Sequence, residues 1–250
     1  MAIMPSLQTR SSLPGRILAR FFLILLGFAI GIALFMPWNK IWASALARVD
    51  MQLPSVGLTW DAIDRDGPLN FRVRNLRITM AQTPGALRFQ HAYVSMGFSP
   101  LATVRLDTGG PQCVLELFSN GVFEFEGDLN LTYLLGMSDF KGELRASGSL
   151  FLPDGARLPH SGWVDIRSQR LVLPGDKSVE DFAFMAEIDH ETMNIRDFSM
   201  KSPFMYKSTG SATLDPDNLF RTMFSLTGEM TVGRETFSYP LNGSLTDAIW

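Results

Sequence analysis

Cysteine is nearly absent from this chain of 250 residues, in which Cys113 is the only one. No intramolecular disulfide can therefore form, and the stability of the fold must come from packing. Cys113 lies in the apolar run CVLELF, so we predict a small buried hydrophobic side chain there rather than a reactive thiol.

Histidine is also scarce, and the spacing of His91, His160 and His190 matches no metal-binding motif. The G-x-S-x-G nucleophile motif and the full glycine spacing of a phosphate loop are missing as well. We therefore expect no enzymatic activity, no cofactor and no metal site. An envelope hydrolase whose catalytic residues converge only in the fold is the alternative that the sequence leaves open.

The segment Asp61–Gly67 is rich in carboxylates and ends in glycine, as part of a calcium loop does. With Gly67 at the sixth loop position, however, the first and twelfth positions fall on Ala62 and Val73, which offer no side-chain oxygen. We interpret this segment as a polar turn.

Acidic residues are missing before Asp50, and charges of either sign are missing from residues 21–39, FFLILLGFAIGIALFMPWN. As a helix this run would be about 28 Å long, close to the thickness of the hydrocarbon core of a bilayer. We predict a cytoplasmic tail over residues 1–20, a transmembrane signal-anchor helix over 21–42 and a periplasmic β-rich domain over 43–250.

Positive charge before the apolar run predicts its orientation. Arg10, Arg16 and Arg20 precede it, and the positive-inside rule then keeps the N-terminus in the cytoplasm. Trp38 and Trp42 lie where an aromatic belt would meet the far interface, so Arg16, Arg20, Trp38 and Trp42 are the candidate interfacial anchors. The predicted location is the inner membrane, crossed once.

Two further features bear on this helix. Gly27 and Gly31 form a G-x-x-x-G motif that would let a second membrane helix approach closely, so both are candidates for a packing face. A cleaved signal peptide is the alternative to an anchor, because Ala43-Ser44-Ala45 satisfies the small-x-small rule. Both interpretations export the rest of the chain.

The charge balance excludes another class of partner. The first 42 residues hold four positive charges and no negative one, so the exported part has a net charge of −7 against −3 for the whole chain. Such an acidic surface argues against nucleic acid and against adhesion to anionic headgroups.

Alternation of apolar and polar residues dominates after Leu58, which is typical of half-buried strands. It is clearest over residues 140–152, and a change of phase between Val73 and Leu76 predicts a bulge or break. We predict helix through Ile41–Val49 and a short helical turn over Leu131–Gly136. The resulting class is mainly β, with one N-terminal transmembrane helix and an elongated, mostly antiparallel sheet, whether open or closed into a sandwich.

A short element that starts with glycine and continues with alternating apolar residues recurs at Gly127, Gly148, Gly210 and Gly228, with a truncated copy at Gly243. Chance is one explanation, since strands and glycines are common in this chain. A sheet built from repeated hairpins, which buries its apolar face by stacking neighbours, is the other.

Four motifs resemble the N component of the bacterial type II secretion system (GspN). They are Val56–Trp60, Gly67–Phe71, Gly97–Ala102 and Asp107–Pro111. The resemblance implies a bitopic inner-membrane protein without known enzymatic activity, accessory to the secretion machinery. It also implies a periplasmic domain similar to the AsmA-like group, whose curved sheets form a hydrophobic groove associated with lipid movement between membranes.

From the predicted anchor, the predicted strands and this resemblance, we expect a non-enzymatic scaffold or accessory protein of type II secretion, in contact with other envelope proteins. The alternative is a periplasmic lipid-binding or lipid-transfer protein that holds phospholipid in an open apolar groove. A continuous open groove would favour the second, because a scaffold needs only a closed core.

Overall fold

The computed structural model describes residues 36–52, 56–67, 69–80, 85–153, 155–156, 158–175, 177–216 and 221–244. Within these residues the fold is mainly β, with one antiparallel sheet and two helices, α1 (Trp38–Gln52) and α2 (Leu131–Leu135). The strands are β1 (Val56–Thr59), β2 (Ala62–Arg65), β3 (Asn70–Met80), β4 (Ala86–Met96), β5 (Ala102–Asp107), β6 (Gln112–Leu117), β7 (Val122–Asn130), β8 (Lys141–Phe151), β9 (Ser161–Leu173), β10 (Lys177–Asp189), β11 (Thr192–Met200), β12 (Met205–Thr213), β13 (Met223–Val232), β14 (Glu235–Ser238) and β15 (Leu241–Ser244). The expected antiparallel β class is confirmed.

The sheet is a meander with two separate ends. From β3 to β13 every strand pairs with the strand before it, while β1 and β2 share the outer side of β3, and β14 and β15 share the outer side of β13. Among the described residues, extensive contacts between strands are limited to these hydrogen-bonded neighbours. Repeated hairpins therefore build the sheet, and no second sheet packs on it within the described part of the chain.

A left-handed residue breaks β3 where the sequence predicts a change of phase. Asn75 has φ 51°, and its Nδ2 donates a hydrogen bond to Asp61 Oδ2 at 2.6 Å. A residue in this conformation does not follow the regular alternation of a strand. Val73 and Leu76, three positions apart, therefore lie on the same face and pack in the same cluster. The predicted break is confirmed.

The predicted alternation over residues 140–152 is confirmed in β8. Ala146 and Gly148 are buried, while Glu143 and Arg145 are exposed on the opposite side. A Cβ atom on Gly148 would lie 2.5 Å from Phe125 Cζ and 2.6 Å from the carbonyl oxygen of Trp163. The glycine is therefore needed to let Phe125 cross over its strand.

Helix α2 forms where a helical turn is predicted, and its ends are capped by neighbouring residues. Asn130 Oδ1 accepts a hydrogen bond from the backbone N–H of Tyr133 at 3.2 Å, and Gly136 ends the helix with φ 63°. Leu131 and Leu134 are buried in a cluster that includes residues of β4 and β9.

The position of α2 requires a strongly curved sheet. The helix contacts β4, β7 and β8, and four steps of about 4.8 Å would separate β4 from β8 by roughly 19 Å in a flat sheet. A helix is only about 10 Å wide with its side chains, so the sheet must bend around it. The side of the sheet that carries both helices is the concave side, which we call the inner face.

Helix α1 confirms the helix predicted through residues 41–49 and packs on the first strands. The Trp42 ring stacks on Phe71, with centroids 4.8 Å apart and planes 20° apart, and Leu46 joins the same cluster. The predicted domain boundary between residues 42 and 43, and the Ala43–Ala45 cleavage motif, fall inside this helix.

Most of the predicted membrane segment lies outside the described residues, which begin at Met36. Neither helix of the described part has both the length and the hydropathy of a membrane span. The transmembrane helix over residues 21–42 stays a prediction.

Candidate functional site: the inner face of the sheet

Apolar side chains form a continuous ladder on the inner face. Residues directly opposite each other on neighbouring strands project to the same side of a sheet. The pairs from β7 to β15 are Leu129 with Leu144, Ala146 with Ile166, Val164 with Ala186, Ala186 with Ile195, Met193 with Ala212, Ala212 with Phe224 and Leu226 with Leu241. Apolar surface therefore continues without a break across more than half of the strands.

The helices cover only one part of this surface. Helix α1 packs on β1 and β2, and α2 packs on β4, β7 and β8. We call β1 to β8 the covered half and β11 to β15 the bare half, along which neither helix packs within the described residues. An apolar ligand could therefore reach the inner face along the bare half.

Small and large apolar residues alternate across the bare half. Ile195, Ala212 and Leu226 are buried, and they form a cluster with Ala186 of β10. Half-buried larger side chains surround this cluster: Phe184, Met193, Phe198, Phe224 and Leu241. The large side chains shield the small ones and present their own remaining surface to the concave side.

Aromatic rings contact each other near the turn between β11 and β12. Phe198 meets Phe182 and Tyr206 edge-on, with centroid distances of 6.0 and 5.9 Å. Tyr206 is fully buried, and its hydroxyl donates a hydrogen bond to the carbonyl oxygen of Tyr239 at 3.1 Å. The polar end of this tyrosine is thus satisfied, and its buried ring contributes to packing rather than to the accessible surface of the inner face.

The outer face carries ion pairs on β9, β10 and β11. Arg196 pairs with Glu187 at 2.6 Å and Arg167 pairs with Asp165 at 2.8 Å. In each pair the hydrogen bond to the carboxylate raises the pKa of the guanidinium above its ordinary value. Exposed apolar side chains on this face, such as Trp163 and Met223, are separated by charged and polar residues, so the continuous apolar ladder belongs to the inner face.

The predicted membrane-associated residues are only partly visible. Gly27, Gly31, Arg16 and Arg20 lie outside the described residues. Trp38 is the first residue of α1, and Trp42 packs against the sheet, with a buried Nε1 that has no hydrogen-bond partner. That Trp38 and Trp42 lie at a membrane interface stays a prediction.

Two of the three histidines come together. The rings of His160 and His190 have centroids 3.8 Å apart, and His190 Nδ1 lies 2.6 Å from Asp189 Oδ1. His91 lies on β4, with a buried Nδ1 that has no partner. No group of three potential metal ligands occurs within the described residues.

Other polar residues singled out in the sequence have structural partners. Asp64, in the segment compared with a calcium loop, lies in β2 rather than in a turn, and it binds Arg72 and Arg74 at 3.1 and 2.9 Å. Ser138 and Lys141, which the sequence analysis does not name, have the S-x-x-K spacing of one class of serine nucleophile. Ser138 lies in an exposed turn, where its hydroxyl donates a hydrogen bond to Asp139, so no helix presents the pair to a substrate.

Comparison with protein-family models, curated proteins and solved structures finds no match to this chain. The similarity to the type II secretion N component therefore rests on its four short motifs. Function must be inferred from the inner face and from the sequence.

Proposed function

We propose that this chain is a membrane-anchored lipid-binding protein whose inner face holds acyl chains along the bare half. The observation that carries the proposal is the continuous apolar ladder, along which no helix packs between β11 and β15 in the described part of the chain. No catalytic step is proposed.

The anchor and the compartment are proposed from the sequence. Residues 21–42 would cross the inner membrane once, with the tail over 1–20 in the cytoplasm and residues 43–250 in the periplasm. A protein anchored in the bilayer does not have to diffuse to find lipid for its inner face, because the bilayer itself supplies lipid at high effective concentration.

Acyl chains suit this surface energetically. Each buried methylene contributes about 0.8 kcal/mol, so ten of them contribute about 8 kcal/mol before the cost of ordering the chain. Half-buried Phe184, Phe224 and Met193 leave apolar surface free for such contacts. The charged outer face keeps the same sheet soluble.

The test is native mass spectrometry of residues 36–250, produced in a bacterial periplasm without detergent, followed by lipid extraction. The fragment begins at Met36 because a start at residue 43 would remove Trp42 from its contact with Phe71. Stoichiometric phospholipid is expected. A lipid-free, monodisperse protein would overturn the proposal.

A matched pair of variants locates the lipid. Met193→Glu places a charge on the inner face of β11, and Ser211→Glu places the same charge on the outer face of the neighbouring strand β12. Bound phospholipid should fall severalfold in the first variant and persist in the second. Equal loss or equal retention would remove the inner face as the binding surface.

An accessory role in type II secretion is the second candidate, favoured by the four motifs over residues 56–111. Its partners would be other envelope proteins of the secretion system. Cross-linking in native membranes followed by identification of bound proteins tests it, and loss of protein secretion on deletion of the gene is the expected phenotype. Unimpaired secretion would discard this candidate.

A further inference from the structure

Exposed hydrophobic side chains collect along one edge of the covered half. This edge, which we call the upper rim, is where β4 ends and β5 begins, and it includes the neighbouring loops between β2 and β3 and between β6 and β7. Its exposed side chains are Leu69 (50%), Met96 (39%), Phe98 (94%), Leu101 (40%) and Leu117 (42%). Large apolar residues gathered in this way mark an interaction surface.

Backbone hydrogen bonds join these loops into one rim. The N–H of Met96 donates to the carbonyl of Leu69 at 2.9 Å, and the N–H of Leu101 donates to the carbonyl of Leu117 at 2.7 Å. Within the loop, the N–H of Gly97 donates to the carbonyl of Leu101 at 2.9 Å. Phe98 is therefore presented to the outside by a loop that is held at its base.

The charge pattern separates this edge from the opposite one. Residues 96–102 and 117–122 contain no charged side chain. The loop at the other end of β5 begins at Asp107, whose Oδ1 accepts hydrogen bonds from the N–H groups of Gly109 and Gly110 at 2.8 and 3.1 Å. At the β4–β5 and β6–β7 loops this edge is thus uncharged, and Asp66 is the charged residue of the third loop.

The chain enters the described structure at the upper rim. Met36 and Trp38, at the start of α1, line a cleft with Ile63 and Arg65, which belong to the end of β2 nearest the rim. The described end of the uncharged run, residues 36–39, therefore lies at this edge. A membrane entered by that run would face the same edge.

We infer that the upper rim lies against the lipid bilayer, with Phe98 inserted among the acyl chains beside the proposed membrane helix. This inference rests on the proposed anchor, but it does not depend on lipid binding to the inner face. A bilayer explains why the edge combines a fully exposed phenylalanine with the absence of charge in two adjacent loops. The contact is apolar, so the acidic balance of the domain does not oppose it.

Site-directed fluorescence on the full chain tests the inference. In a Cys113→Ala background, Phe98→Cys and, as a second rim position, Leu117→Cys carry an environment-sensitive probe. Met205→Cys is the matched control, because Met205 is 52% exposed but lies at the opposite edge, at the first residue of β12. Each protein is reconstituted in vesicles of phosphatidylethanolamine and phosphatidylglycerol, and quenching by doxyl-labelled lipid is compared with quenching by aqueous iodide.

We expect the doxyl-labelled lipid to quench the probes at positions 98 and 117 severalfold more than the probe at 205. Iodide should quench the probe at 205 more than the probes at 98 and 117. Iodide quenching at 98 equal to that at 205, in protein that still sediments with vesicles, would overturn the rim contact and leave the anchor intact. Protection of 98 from both quenchers would overturn it in favour of a protein partner or second copy. Protein that fails to sediment with vesicles would overturn both the anchor and the rim contact. Lipid binding to the inner face is tested separately, by the lipid extraction described above.

Discussion

The covered and bare halves of the sheet have the same alternation of apolar and polar residues but close their inner faces differently. In the covered half, Trp42 and Leu46 of α1 pack against the buried side chains of Val73 and Ala92. Helix α2 adds Leu131 and Leu134 over the middle strands. In the bare half, small buried residues are shielded by larger ones on the same sheet. Whether an apolar face becomes a core or a binding surface is therefore decided by the elements placed over it rather than by the strands themselves.

Charged substitutions should separate the two halves most strongly. Val73 is 1% exposed, so Val73→Asp would bury a carboxylate without a partner and lower the free energy of unfolding by about 4 kcal/mol or more. Met193→Glu, at a half-buried position in the bare half, should cost less than about 2 kcal/mol. Urea unfolding followed by tryptophan fluorescence measures both. Equal costs would mean that the bare half is closed as well.

Removing the cover contributed by α1 should have the next largest effect. Trp42→Ala deletes the ring that stacks on Phe71, and we expect a loss of about 3 to 4 kcal/mol. Trp163→Ala is the control, because Trp163 lies on the outer face and is partly exposed, so its loss should stay below about 1 kcal/mol. Similar losses for the two variants would contradict a role of α1 in closing the covered half.

The cover contributed by α2 is tested by Leu134→Ala. Leu134 is buried in a cluster with Phe89 and Leu171, so its truncation should cost about 2 to 3 kcal/mol. Leu135, on the same short helix, is only half-buried, and Leu135→Ala should cost about half as much. Chemical denaturation gives both values, and the reverse order would be inconsistent with the orientation of the helix.

Thiol labelling compares the two halves with the smallest perturbation. Burial, with a smaller effect from Asp128, raises the pKa of the Cys113 thiol, so little thiolate is available at pH 8 and a maleimide should react slowly until urea unfolds the chain. In a Cys113→Ala background, Ala212→Cys places a similarly buried thiol in the bare half, and we expect faster labelling there. Identical rates would show that the bare half opens no more readily than the covered half.

The Cys113 thiol also makes the free energy of unfolding depend on pH, in a direction that follows from its raised pKa. Because its pKa in the folded state lies above the ordinary value of 9.0, the folded state favours the neutral thiol. The associated stability is complete at neutral pH and declines as the pH rises from the ordinary pKa through the raised one. Urea midpoints of the natural chain and Cys113→Ala, measured from pH 7 to 10, should therefore converge as the pH increases.

Local pattern was enough to predict much of the fold. Alternation predicted the strands, its change of phase predicted the break at Asn75, and Asn130 with Gly136 bounds the short helix that was expected there. Each of these depends on residues a few positions apart, whose preferences act in the unfolded chain as well as in the folded one.

The features that were not predicted depend on long-range packing. Nothing near Trp42 in the sequence indicates that its ring stacks on Phe71, 29 positions later. His160 and His190 meet because the β8–β9 and β10–β11 connections lie at the same edge of the sheet, which follows from topology and not from spacing. Periodicity identifies an apolar face, but it does not say what covers that face, and so the candidate site needed the structure.

The meander has a consequence for how the chain acquires its structure. Almost every strand pairs with the one that precedes it, so a chain that emerges with its N-terminus first can add one hairpin at a time to an edge that already exists. No strand must wait for a distant segment. At each moment one growing edge is open to mispairing, and in the described sheet this side ends in the short strands β14 and β15, which offer few unpaired backbone groups.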